Sequence, residues 1–167
     1  EANSLVDVYR LTYGGIDSMG ITERADELTA LMSTVVVAMA NETSCDMASL
    51  DFYRTKNSRR LFPEVELTTL PTTSSAAILR NIQHLHAQLL GEELPTNDLE
   101  IQATYNLFVE TWAARVDANK GSQVSTQSEF CLFEEQQNKI TEDSNQTLRS
   151  WAVVLNYLLR DYKFIHE

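Results

Sequence analysis

The chain has 167 residues, 43% of them hydrophobic and 22% charged, which is the composition of one globular domain rather than of a disordered chain. Five Gly and three Pro exclude collagen-like and Pro-rich classes and count against an all-β sandwich, which needs a turn every ~8–12 residues. Lys plus Arg number 13 against 24 Asp plus Glu, a formal net charge of −11, and so acidic a chain repels phosphate backbones, which argues against nucleic acid as a general partner.

Leu5, Val6, Val8, Tyr9 and Leu11 predict a short N-terminal helix, ended by Gly14-Gly15. Thr22 reads as an N-cap, with Glu23, Asp26 and Glu27 in the first turns where the helix dipole favours acids. It opens a main helix near 22–42, carried by Leu28, Leu31, Met32, Val35 and Met39. Residues 35–40 are apolar on every side, which predicts a central helix covered by its neighbours, although three consecutive valines there carry strand propensity. Ser44 reads as the cap of a further short helix bearing Met47, Leu50, Phe52 and Tyr53.

Residues 54–73 form a long crossing loop, in which Phe62-Pro63 and Leu70-Pro71 hold the residue before each Pro extended. A loop of this length in a compact domain is packed or functional. Thr73 or Ser74 caps a helix near 74–90 with the stripe Ile78, Ile82, Leu85 and Leu89, and Gly91 ends it. Asn97 with Glu100 is a capping box for a helix near 97–119, whose stripe is Ile101, Tyr105, Phe108, Trp112 and Val116. The short link between these two predicts an antiparallel hairpin. Residues 121–131 are polar, residues 130–133 form an apolar knot, and Thr141 opens a last helix near 141–164 through Leu148, Trp151, Leu155, Leu158 and Tyr162. The expected fold is a single all-α domain over residues 1–167: a bundle of about four main helices with a short N-terminal helix and the crossing loop.

Recognisable chemistry is sparse. The chain has no HExxH, no Glu-x-x-His, no P-loop, no G-x-G-x-x-G and no G-x-S-x-G, and Asp143-Ser144-Asn145 is not followed by the Gly and Glu of a calcium loop. His84 and His86 are about 200° apart around a helix by its 3.6-residue period, so they cannot share a metal. His86 falls at the edge of the apolar face, either as a hydrogen-bonded boundary residue or as a haem or small-ligand contact. The aromatic stripe reads as core packing before it reads as a pocket. No cofactor is expected from the residues.

Cys45 and Cys131 are too far apart in sequence for zinc-ribbon or thioredoxin spacing, which leaves reduced core thiols or one disulfide; the disulfide is the expectation. The sequence begins Glu1-Ala2-Asn3-Ser4 without Met, as a processed N-terminus, a trimmed chain or a fragment does, and carries sequons at Asn41 and Asn145. No apolar stretch approaches the ~20 residues of a membrane span. Arg54, Lys56, Arg59 and Arg60 concentrate positive charge in the crossing loop and nominate it as a docking patch for an acidic protein partner. The functional expectation is a non-enzymatic binding or assembly module acting outside the cytoplasm, with a secreted helical signalling factor as a special case. The alternatives are a haem- or small-ligand-binding bundle using His86, and an enzyme whose site has no recognisable motif.

Overall fold

The computed structural model describes residues 20, 23, 30–118, 140, 143–161, 163 and 164. Within them the chain is all-α, with α1 over Ala30–Tyr53, α2 over Pro71–Leu90, α3 over Leu99–Ala118 and α4 over Thr147–Leu159. A single 3-10 turn, Lys56–Ser58, lies in the crossing loop. The N-terminal helix expected at residues 5–11, the Thr22 cap, the knot at 130–133 and the Thr141 start lie outside the described residues.

Helix boundaries differ from expectation in all four helices, and the last helix, expected near 141–164, spans only Thr147–Leu159, with residues 143–146 forming a turn before it and Arg160–Asp161 a turn after it. Ser44 does not restart a helix, because α1 runs unbroken to Tyr53. The segment has no Gly or Pro to stop it, and Thr43 Oγ1 donates to Met39 O at 2.8 Å, so its hydroxyl is satisfied without breaking the backbone ladder. α2 starts at Pro71, whose missing N–H is no loss at a first helical position. The expected start at Ser74 is instead a kink inside α2, with φ −145° and ψ 43°. Asp98 rather than Asn97 caps α3, accepting Glu100 N on Oδ1 at 2.9 Å. Gly91 does end α2 in the left-handed conformation, φ 65°, which glycine adopts without a Cβ clash.

α4 opens on an unusual turn. The buried Asp143 carboxylate accepts Leu148 N and Arg149 N at 3.1 Å each, so an acid sits where the helix dipole favours it. Gln146 takes a left-handed φ of 59°, and its backbone N and Nε2 both donate to Asp143 O at 3.0 Å. Asp143 and its neighbours therefore form a capping turn.

The helix expected to be central is not the one that is. Val37, Ala38 and Met39 of α1 stay partly exposed, whereas α4 buries Leu148, Trp151, Val154, Leu155, Leu158 and Leu159 almost completely. α4 packs most heavily on α1, then on α3, and also touches α2. α2 and α3 pack on each other as hairpin partners, the end of one beside the start of the other. The core is organised around Trp151, whose ring lies 4.4 Å from Phe108 and 5.2 Å from Phe62, with Phe62 stacked on Phe52 at 4.4 Å. The crossing loop thus contributes to the core through Phe62 and Val65, both buried. Its far end is tied to α4, where Thr147 Oγ1 donates to Leu67 O at 2.6 Å.

Trp151 touches α3 and the loop at once, so Trp151→Ala is expected to destabilise the fold by about 3–5 kcal/mol. Urea unfolding followed by far-ultraviolet circular dichroism measures this, and a loss below about 1 kcal/mol would contradict the packing described.

Candidate functional site

The crossing loop begins at a buried carboxylate. Asp51 lies one turn after Ala48 on the inward face of α1 and is almost fully buried. Its Oδ1 accepts Arg60 N, and its Oδ2 accepts Leu61 N and Phe62 N, all at 2.9 Å. Three consecutive amides converge on one carboxylate, and hydrogen bonds to a charged acceptor contribute about 1.5–3 kcal/mol each. Arg54 Nη1 lies 3.4 Å from Oδ1 and adds a weaker, solvent-facing contact.

The four basic residues of the loop separate into two roles. Arg59 is turned inward, its side chain only 8% exposed. Its guanidinium donates to Val65 O at 2.9 Å, Arg54 O at 3.2 Å and Phe52 O at 3.3 Å, pairs with Glu66 at 2.8 Å, and lies 5.3 Å over the Phe52 ring. This is a planar, multidentate donor used to tie two ends of a loop together, and it is not presented to solvent. Arg54, Lys56 and Arg60 are exposed. No carboxylate among the described residues pairs with Lys56 or Arg60.

α2 holds the loop from the other side. Buried Asn81 accepts Glu64 N on Oδ1 at 3.2 Å and donates Nδ2 to Leu61 O at 3.1 Å. His84 Nε2 donates to Arg60 O at 2.6 Å, and Arg80 pairs with Glu64 at 3.2 Å. His84 thus ties α2 to the basic segment.

His86 is fully buried, with both ring nitrogens engaged. Nδ1 donates to Glu92 Oε2 at 3.0 Å, and Nε2 accepts from Thr104 Oγ1 at 3.1 Å. Hydroxyl, imidazole and carboxylate follow one another as in a nucleophilic triad. Thr104 is also completely buried, however, so a substrate cannot approach its hydroxyl. With both nitrogens committed, His86 has no lone pair for a haem iron unless one of these bonds breaks. The arrangement is a polar strut between α2, the 91–98 link and α3. It extends outward through Glu92, which hydrogen-bonds Lys163. Lys163 first, and His86 second, hold the Glu92 carboxyl below its usual range. Nearby, the Tyr157 hydroxyl donates to Glu100 at 2.5 Å, which pushes the phenol up to about 12.

Cys45 is half-buried on α1 and is not a free thiol; Cys131 lies outside the described residues. Of the two sequons, Asn41 is exposed on α1, whereas Asn145 donates Nδ2 to Leu67 O at 3.3 Å. Among the described residues, no group of three or more His, Cys, Asp or Glu side chains is placed to hold a metal, and no helix is long and apolar enough to cross a membrane.

A carboxyl whose folded value is lowered contributes stability above its ordinary 4.5, and that contribution disappears as pH falls through the lowered value. Glu92→Gln is therefore expected to destabilise the protein at pH 7 and to become neutral in acid, as thermal melts from pH 7 to about 3 would record. A difference that persists undiminished at the acid end would contradict the Lys163–Glu92–His86 chain. Comparison with known proteins adds nothing to this geometry, because the chain matches no family model, no curated protein and no solved structure.

Proposed function

We propose that the chain is a non-enzymatic binding module acting outside the cytoplasm, and that it docks an acidic protein segment on the outer face of the 54–60 loop. The observation that carries this reading is the division of labour among the basic residues. Asp51 fixes the loop backbone at Arg60, and Arg59 fixes it at Phe52, Arg54 and Val65. Lys56 and Arg60 then project from a backbone already ordered, so binding forfeits little loop entropy. Of the flanking acids, Asp51 is buried against the loop amides, and Glu64 and Glu66 are engaged by Arg80 and Arg59. Tyr53, half exposed at the end of α1, supplies an aromatic surface beside the charges. In this assignment Arg54, Lys56 and Arg60 are the contact residues, and Arg59 is a positioning residue.

Two features support the extracytoplasmic setting. Cys45 is not a free thiol, and Cys131 is the other cysteine in the chain, so a bridge between them is the natural pairing and suits an oxidising compartment. Asn41 presents an exposed sequon.

The test is a titration of a short poly-glutamate peptide into the protein, in low and in physiological salt. Binding that weakens as ionic strength rises is expected, because exposed charges are screened over about 8 Å at 0.15 M. Lys56→Glu with Arg60→Glu is expected to weaken it by at least about tenfold while leaving the fold intact, because Arg60 serves Asp51 through its backbone N and not its side chain. Equal affinity for the variant and the native chain would remove the loop as a docking surface.

A further inference from the structure

The two sequons, Asn41-Glu42-Thr43 and Asn145-Gln146-Thr147, are treated by the fold in opposite ways. We propose that Asn41 is a modification site, carrying an N-linked oligosaccharide on Nδ2, and that Asn145 stays bare in the folded protein. The proposal rests on the extracytoplasmic reading above, since a sequon is an acceptor only in a chain that enters a secretory compartment.

Asn41 lies near the middle of α1 and is exposed, as is Glu42 beside it. Its side chain accepts a hydrogen bond on oxygen, from Asn156 Nδ2 to Oδ1 at 2.8 Å. An N-glycosidic bond forms at Nδ2, so it leaves Oδ1 and this link between α1 and α4 in place. Asn145, by contrast, is engaged through the atom that the sugar would need. Its Nδ2 donates to Leu67 O at 3.3 Å, and Thr147 Oγ1 donates to the same carbonyl at 2.6 Å. The Asn145 carbonyl accepts Trp112 Nε1 at 2.9 Å, and Thr147 is fully buried. The second sequon is therefore part of the seam that joins the crossing loop, α3 and α4. An oligosaccharide is bulky and belongs on a surface, and one on Asn145 would part Leu67 from α4.

Transfer belongs to the chain before it folds. Helical residues two apart point about 200° away from each other, so Asn41 and Thr43 do not face one acceptor site once α1 has formed. Thr43 Oγ1 is by then turned to Met39 O at 2.8 Å. The donor is an oligosaccharide carried on a polyprenyl diphosphate. The bond from Asn41 Nδ2 to the anomeric carbon forms, and the bond from that carbon to the diphosphate oxygen breaks. The electron pair leaves on the polyprenyl diphosphate, and Nδ2 gives up one proton. Folding then separates the two sequons. A chain modified at Asn41 packs α1 on α4 with the sugar outside, whereas a chain modified at Asn145 does not close the Leu67 seam.

The experiment expresses the full chain behind a cleavable secretory signal in cultured eukaryotic cells. The secreted protein is followed by gel mobility and peptide mass mapping, with and without peptide-N-glycosidase. That enzyme converts a glycosylated Asn to Asp, so the map reports each position separately. Occupancy is expected at position 41 and not at position 145, in secreted protein with a helical circular dichroism spectrum. Thr43→Ala removes the sequon but keeps Asn41 and its bond to Asn156, and it is expected to abolish the mobility shift. Thr43→Ser keeps the sequon and is expected to retain the shift. An unmodified Asn41 in the secreted chain would overturn the proposal, and so would a glycan on Asn145 of secreted, helical protein. Because the added signal sets the compartment, either result leaves the extracytoplasmic reading standing. That reading falls instead if the chain fractionates with the cytoplasm of its source.

Discussion

A carboxylate withdrawn from water must be surrounded by donors, and Asp51 meets that demand with the backbone of Arg60, Leu61 and Phe62. Much of the molecule is arranged by that requirement. Turning three consecutive amides toward α1 sends the Phe62 side chain into the core, where it stacks on Phe52 and meets Trp151. Trp151 lies on α4, and α4 in turn packs on α1 and α3. The loop therefore acts as a wedge among the helices rather than as a connector passing over them. Asn81 and Arg59 reinforce the same course from α2 and from within the loop. The basic rim is a by-product of this order: once the backbone is held, Lys56 and Arg60 have nowhere to go but outward.

The helices were legible because each one satisfies a local rule. Ile78, Ile82 and Leu85 lie on one face of α2 and are buried there, and Gly91 ends the helix in the conformation that only glycine reaches cheaply. Phe108 of the α3 stripe is likewise core. Errors arose where two rules competed. Ser44 offered a cap, but no Gly or Pro nearby stops α1, and Asp98 offered a better cap than Asn97. The centrality assigned to residues 35–40 failed because all-round apolarity predicts covering neighbours without saying which helix has enough of them.

The sites were legible only in part. Arg54, Lys56, Arg59 and Arg60 could be found as a charge cluster, but composition treats four basic residues alike, and only the tertiary partners of Arg59 separate it from the rest. Asp51 carried a readable signal, an acid placed one turn from Ala48 on a face that also bears Phe52, where burial without a partner would be prohibitive. The strut through His86 was not readable, because Glu92 lies in a link and Thr104 on the next helix, and no spacing rule connects them.

Amide hydrogen exchange at Arg60, Leu61 and Phe62 tests the role of Asp51 most directly, in the native chain and in Asp51→Asn. Side-chain shape is kept in this variant, while the charge is removed and one acceptor oxygen becomes an amide donor. The three amides are expected to be protected in the native chain and to exchange at least about tenfold faster in the variant, while Ile82 and Leu85 on α2 keep most of their protection. Rapid exchange of the three amides in the native chain, or protection that survives the substitution, would contradict a loop held by this carboxylate.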